Sequence, residues 1–372
     1  MKNNKIAILV NSLADGGAEK VVKYIVETLN NKKVNIELIC LEKNDKYSIN
    51  SSVKVSYITT STKKESGILK LFKIPYLAYK LSKYIKNEKI TIVQSHLFRA
   101  HYVNILAQCI CKFKFQTQIV NHTLISTYYK YGISSKINRY LIKKLFPKAD
   151  VVIGVSKHVM DDTIELCNKL ETTLIIYNPI DINNINNIKN DSTGRFSFNK
   201  DKKYLIFVGR LDKIKRIDDI LKILANLEST IELIILGDGI LKSTLQKQSK
   251  ILNVNKRVHF LGRVENPYKY IEKSDILLLT SESESFGNVI IESFVCKTPV
   301  ISTKCGGPEE LISNKNGILV DVGDLISIKE NIYKLLEDKS FRDNIILNAE
   351  KRSEMFKLDT IMIKYKEVLC VE

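Results

Sequence analysis

Two glutamates eight residues apart, Glu284 and Glu292, bracket the segment Glu284-Ser285-Phe286-Gly287-Asn288-Val289-Ile290-Ile291-Glu292. The segment follows the apolar run DILLLT (275–280) and a Ser/Glu loop, and Val289, Ile290, Ile291, Phe294 and Val295 read as the start of a buried helix. Gly287 sits at the turn into that helix, where the absence of a side chain permits close backbone approach. The unpaired N–H groups and dipole of a helix start suit a diphosphate. Carboxylates placed before and one turn inside the helix can accept from sugar hydroxyls at the two ends of a nucleotide-sugar. A solvated loop glutamate and a helix-surface glutamate would show the same spacing. A facing acid–nucleophile pair fits less well. Glycosidases hold their two carboxyls about 5–5.5 Å or about 6.5–9.5 Å apart, whereas eight helical residues span about 12 Å.

A second group lies upstream in Phe207-Val208-Gly209-Arg210-Leu211-Asp212-Lys213-Ile214-Lys215-Arg216-Ile217-Asp218. An apolar strand ends at Gly209 and cations follow at once. The fork of Arg210 and the point charge of Lys215 suit phosphate oxygens. Cations there stabilise the charge that a nucleoside diphosphate gains as it leaves; a basic surface loop would read the same way. After the first strand, Gly16 and Gly17 in Asp15-Gly16-Gly17-Ala18-Glu19 permit close ligand approach, although the dinucleotide fingerprint GxGxxG is absent. His96 and His122 each follow a strand and are candidates for the same site or for structural roles. No DxD triplet occurs, so an acidic metal–diphosphate site is not expected.

These residues need strands that end beside one another. Short β-branched runs supply them: 5–10, 35–40, 53–58, 89–95, 117–120, 151–156 and 172–177, then 204–209, 231–237, 257–262, 275–280, 298–303 and 317–320. Amphipathic segments lie between several of them. The pattern predicts an α/β protein of two Rossmann-like, doubly wound parallel-sheet domains facing across a cleft, with ligands at the carboxyl ends of the strands. The expected domains are 1–181 and 204–355, joined by the polar, Asn-rich linker 182–203, with a C-terminal helix in 356–372 packing back on the first domain.

At 372 residues the chain suits two domains. No apolar run reaches membrane-spanning length, and the start of the chain reads as a strand rather than a signal peptide. Seven scattered cysteines without a CxxC pair fit reduced thiols. Residues 1–190 hold 29 Lys+Arg against 14 Asp+Glu, a net of +15, and the remainder is near neutral. That asymmetry points to an acidic partner for the first half, or to a lysine-rich solubilising surface. Within 68–87, Leu71, Ile74, Ala78, Leu81 and Ile85 fall at helical spacing, with Lys80, Lys83 and Lys86 on another face and Tyr76, Tyr79 and Tyr84 at its margins. Pro75 marks a helix start or kink.

Taken in order, DGGAEKVV (15–22), SH (95–96), NH (121–122), ADVVIGVSKHV (149–159), YNPID (177–181), FVGRLDKIKRID (207–218), ILGDGIL (235–241), VHFLGRVEN (258–266), SESESFGNVIIES (281–293), TPVISTKCGGPEELI (298–312) and NGILV (316–320) resemble family 4 of the retaining glycosyltransferases, a GT-B group. The resemblance spans nearly the whole chain. It implies that Glu292 accepts from the nucleotide ribose and that Glu284 touches hydroxyls of the donor sugar. It implies amide contacts from Phe286, Gly287, Asn288 and Val289, diphosphate binding by Arg210 and Lys215, and contact of Val264 with the base. Gly16 and Gly17 match the glycine loop, and His122 matches a histidine near the transferred sugar. Two departures stand out. Arg216 replaces the usual glycine after the lysine, and Tyr177-Asn178-Pro179-Ile180 replaces the usual proline-asparagine-glycine.

The resemblance implies a metal-independent hexosyltransferase without cofactor. It would move a sugar from a UDP- or GDP-sugar to a hydroxyl of a glycan or lipid-linked acceptor, with retention, in cell-surface polysaccharide, capsule or O-antigen synthesis. The catalytic set would be Glu284, Lys215, Arg210 and His122. The expected location is cytoplasmic and peripheral on the inner face of the membrane, with the basic first domain on anionic lipid. A sugar-nucleotide epimerase or glycan phosphorylase on the same fold stays open. A nucleic-acid-binding protein fits the charge, but the basic residues are not interleaved with aromatic platforms.

Overall fold

The computed structural model describes residues 4–14, 16–59, 67–129, 132–189 and 196–371. Asp15 of the glycine loop and residues 190–195 of the expected linker lie outside the described residues. The chain divides into two compact units, Met1–Pro179 with Leu358–Glu372, and Ile180–Lys357.

The first unit carries strands β1 (Ile6–Val10), β2 (Ile36–Glu42), β3 (Lys54–Thr59), β4 (Ile92–His96), β5 (Gln116–Asn121), β6 (Val151–Gly154) and β7 (Thr173–Ile175). They form one parallel sheet in the order β3-β2-β1-β4-β5-β6-β7. The second unit carries β8 (Lys203–Val208), β9 (Ile231–Leu236), β10 (Val258–Gly262), β11 (Ile276–Leu279), β12 (Val300–Thr303) and β13 (Ile318–Val320). These are also parallel, in the order β10-β9-β8-β11-β12-β13. Central strands such as IAILV are buried along their whole length, which is why they read as continuous apolar runs rather than alternating ones. All thirteen expected strands are present within a few residues of their expected bounds. In each sheet the order reverses next to the first strand, between β1 and β4 and between β8 and β11. Chain leaving the carboxyl ends there diverges and leaves a crevice.

The connection between units differs from the expected linker. Residues Ile182–Ile188 form a helix capped by the Asp181 carboxylate, which accepts from Asn184 N at 3.0 Å. Ile182 and Ile185 are buried, and the helix packs on the helix Asn288–Val295. Isoleucines at 182, 185 and 188 make a narrow helical stripe, which the intervening asparagines obscured. Buried Lys189 closes the segment, its Nζ 3.4 Å from both Val295 O and Glu272 Oε1. The crossing therefore falls at Pro179–Ile180, before the expected linker.

The return crossing lies alongside, since Ile180 N donates to Phe356 O at 2.8 Å. Phe356 stays with the second unit, its ring 5.8 Å from that of Phe286. The helix Leu358–Val368 belongs to the first, where Ile361, Met362 and Tyr365 are buried and Gln118 Nε2 donates to Val368 O at 2.7 Å. Within 68–87 the main helix is Ile74–Glu88, with Pro75 in its first turn. Ile74, Leu77, Ala78, Leu81 and Ile85 face the core. Tyr84 does not join the outer margin: its hydroxyl donates to buried Glu37 Oε2 at 2.7 Å. Among the described residues, no helix is long and apolar enough to cross a membrane.

Candidate active site

In the second unit the candidate residues converge on the β8/β11 reversal. The chain leaves β8 through Gly209 and Arg210 and makes a 3-10 turn at Lys213–Lys215. It leaves β11 through Thr280 and Ser281 towards Glu284. The two exits are tied together. Thr280 Oγ1 donates to Lys215 O at 3.0 Å, and Glu282 N donates to Ile214 O at 2.7 Å. Lys215 Nζ is thereby brought onto Glu284 Oε1 in a short ion pair, and Ser281 Oγ donates to the same oxygen at 2.7 Å. The Glu284 backbone is pinned on both sides, by its N–H to Cys305 O at 2.9 Å and by Gly307 N to its carbonyl at 2.9 Å. Burial pushes the Cys305 thiol up to about 12, so this neighbouring sulfur stays protonated and unreactive at neutral pH. The expected roles of Lys215 and Glu284 placed them on different parts of a ligand; the structure makes them each other's counter-ion.

Arg210 lies at the rim. Its Nε donates to Asp212 Oδ2 at 2.6 Å, and its side chain is 71% exposed, so the rest of the fork faces outward. A cavity of about 190 Å³ beside it is lined by Gly209, Arg210, Gly237, Asp238, Arg263 and Val264 among others. Its floor is backbone. Gly209 N donates to Leu236 O at 3.0 Å and Gly237 N to Gly262 O at 2.8 Å, extending the sheet past the strand ends. A Cβ on Gly237 would lie 1.9 Å from Gly209 O, and Gly237 has φ +129°, so only glycine fits there.

Phe286 is buried, and Gly287, at φ +94°, caps the helix Asn288–Val295. Asn288 and Val289 open that helix. Glu292, one turn in, is buried and accepts from Tyr268 Oη at 3.3 Å. The doublet Gly306-Gly307 supports the loop from behind: a Cβ on Gly307 would fall 2.4 Å from Phe286 Cα. Arg216, in place of the usual glycine, keeps the left-handed conformation (φ +48°, ψ +43°) that glycine favours. Its guanidinium is held by Asp219, with Nε at 2.8 Å and Nη2 at 2.6 Å from Oδ2.

In the first unit, Gly16 and Gly17 follow β1 and start the helix Gly17–Asn31, Gly16 being its cap in extended conformation. His122 follows β5, and its Nε2 lies 2.8 Å from Nδ1 of His96, with the rings stacked at 5.1 Å. Sequence reasoning left Tyr268, Ser281, Gly237 and Gly307 unassigned and His96 open. The GDG and GG doublets after strands were the available signals for the glycines. Tyr268 carried none, because Glu292 is brought to it by the fold, whereas Ser281 stands only three residues before its partner Glu284.

Residues 15–184 match the model described as Glycosyltransferase Family 4, and residues 189–352 that described as Glycosyl transferases group 1. The chain is 32% identical over 358 residues, 95% of each chain, to the N-acetylgalactosamine-N,N'-diacetylbacillosaminyl-diphospho-undecaprenol 4-alpha-N-acetylgalactosaminyltransferase of Campylobacter jejuni. It is 28% identical, over 98% of each chain, to the same organism's GalNAc-alpha-(1->4)-GalNAc-alpha-(1->3)-diNAcBac-PP-undecaprenol alpha-1,4-N-acetyl-D-galactosaminyltransferase. Among solved structures, Anabaena HepE in complex with UDP superposes with a TM-score of 0.80 at 22% identity, covering 98% of this chain and 99% of that one. Sucrose-phosphate synthase from Thermosynechococcus elongatus superposes at 0.83, 18% identical over 98% of each chain. The fold is GT-B, and the class is glycosyltransferase. The chain belongs to family 4 of the glycosyltransferases.

Proposed function

We propose that this glycosyltransferase moves a sugar from a nucleoside diphosphate sugar to a hydroxyl of a lipid-linked glycan, with retention and without a metal, in the synthesis of a cell-surface polysaccharide such as capsule or O-antigen. The observation that carries the reading is the Lys215–Glu284 pair at the β8/β11 reversal, with Lys215 beside Gly209 and so next to the cavity at the ends of β8, β9 and β10, and buried Glu292 one turn into the helix Asn288–Val295. A diphosphate over this floor meets Arg210 at the rim and shares Lys215 with Glu284. The ribose hydroxyls donate to Glu292, whose oxygen is steadied by Tyr268. As the glycosidic bond breaks, charge grows on the diphosphate next to two fixed cations, which favours the transition state over the ground state. The departing phosphate oxygen takes the acceptor proton on the same face of the sugar. The named Campylobacter relatives act on undecaprenyl diphosphate glycans, and this supports a lipid-linked acceptor. The HepE complexes support UDP as the carrier.

Docking of the first unit on the inner face of the membrane belongs to this reading. On the helix Ile74–Glu88, Tyr76 and Tyr79 are about half exposed, with Lys80 Nζ 4.9 Å from the Tyr76 ring centre and Lys83 Nζ 4.6 Å from that of Tyr79. Amphipathic aromatic rings beside lysines suit an anionic lipid headgroup layer.

The experiment is a thermal-shift screen of UDP-N-acetylgalactosamine, UDP-N-acetylglucosamine, UDP-glucose and GDP-mannose. A ligand at 100 times its Kd adds about 2.7 kcal/mol. Transfer to a polyprenyl-diphosphate glycan follows, with EDTA present and the product anomer read by NMR. Inversion, or complete loss in EDTA with rescue by Mg²⁺ or Mn²⁺, contradicts the proposal. Donor turnover without any acceptor would instead favour an epimerase.

A further inference from the structure

β4 and β5 are parallel neighbours, with His96 registered on Val120. Residue 122 is two positions beyond Val120 and so projects to the same side of the sheet as His96. This register brings His96 Nδ1 and His122 Nε2 to 2.8 Å. Burial pushes His96 well below the ordinary histidine range and His122 down to about 3, so both rings are neutral. Two neutral rings joined this way share one proton across the contact, and there are two ways to place it. If His122 Nε2 carries the proton, His96 must hold its own on Nε2. That atom is buried, and it has no hydrogen-bond partner among the described residues. A buried N–H without an acceptor is rarer and costlier than an unused lone pair. If His96 Nδ1 carries the proton instead, His96 Nε2 is only an unused lone pair. His122 Nε2 then accepts, and His122 must be protonated on Nδ1.

The backbone holds His96 in place. Leu97, directly after it, has φ +73° and ψ +143°, a conformation that a leucine keeps only where its surroundings over-determine it. Leu97 O then accepts from His101 N at 3.0 Å, which starts the helix Phe98–Ile110. His122 is less completely buried than His96, and its Nδ1 has no hydrogen bond to the protein among the described residues.

We propose that His96 is a positioning residue that locks His122 in the Nδ1–H tautomer, so that His122 meets a ligand as a fixed hydrogen-bond donor rather than as a proton acceptor. This assignment deepens the sugar-transfer reading and rests on it for the identity of the ligand, but not for the tautomer.

The test is nitrogen NMR of the full chain labelled with ¹⁵N-histidine, together with turnover of UDP-N-acetylgalactosamine. The parent is expected to show His122 with a protonated Nδ1 and an unprotonated Nε2. In His96→Asn the side-chain amide can stand in for Nδ1–H, so that pattern and most of the turnover should persist. His96→Phe supplies no donor. It should release His122 into mixed tautomers and lower kcat/KM about tenfold, the scale of one neutral hydrogen bond. A parent His122 protonated on Nε2 overturns the proposal. So does a His96→Asn variant as impaired as His96→Phe, which would mean that His96 only fills space. If UDP-N-acetylgalactosamine is not turned over, that donor is wrong, and the nitrogen shifts still decide the tautomer.

Discussion

Replacing Lys215 by methionine removes the cation from a pair whose side chains are only 18% and 12% exposed. Breaking one side of a buried ion pair costs about 3–5 kcal/mol, because the surviving charge is left uncompensated. Here Ser281 Oγ still donates to Glu284 Oε1, and some water reaches both groups. The expected loss is therefore about 2–3 kcal/mol. In Lys215→Met with Glu284→Gln no charge is stranded, and stability should return to within about 1 kcal/mol of the parent. Urea denaturation of the four proteins measures this. With a slope of about 2–3 kcal/mol/M, the single variant should shift the midpoint of the second unit down by about 1 M and the double variant by much less. Turnover should not recover: the double variant still lacks the preorganised charge and should lie about 10²–10³-fold below the parent. A double variant as unstable as Lys215→Met would show that the pair is not energetically coupled. A double variant that regains activity would remove Lys215 from the chemistry.

Glu292→Ala should weaken UDP binding by about 1.5–3 kcal/mol in calorimetry, the scale of a charge-assisted hydrogen bond, and Tyr268→Phe by less. Unchanged affinity in Glu292→Ala places the ribose elsewhere. Arg216→Gly should be more stable than Arg216→Ala by about 0.5–1 kcal/mol. Relief of left-handed strain, about 1–2 kcal/mol, outweighs the extra chain entropy of glycine, about 0.5–1 kcal/mol. Both should fall below the parent, because Asp219, with a side chain 3% exposed, keeps only Lys222. Denaturation midpoints ranking alanine above glycine would refute the strain argument. Lys80/Lys83/Lys86→Gln should reduce sedimentation with anionic vesicles by up to about 3 kcal/mol, at about 1 kcal/mol per lysine, and the difference should shrink at high salt. Equal binding by parent and variant would take this helix off the membrane.

What the amino-acid order determined by itself was the local layer of structure. A buried parallel strand is a continuous β-branched run, so all thirteen strands and the two-sheet architecture were legible. Glycine leaves a mark wherever backbone must come close, and Gly287 was readable for that reason. The stripe in Ile74–Glu88 was readable because its period exceeded the noise of the intervening lysines. The three isoleucines at 182, 185 and 188 span too few turns to stand out among asparagines, and a helix that short forms only because the second unit receives its apolar edge. Pairings between distant segments were decided by tertiary structure alone. Lys215 meets Glu284 because β8 and β11 are adjacent where the strand order reverses, and His96 meets His122 because β4 and β5 share a register. Tyr268 reaches Glu292 for the same kind of reason, through packing of the helix Asn288–Val295. Residue type states what each of these groups can do. Only strand order and register state which charge or proton it meets, because those contacts lie between residues far apart in the chain and leave no periodic trace in it.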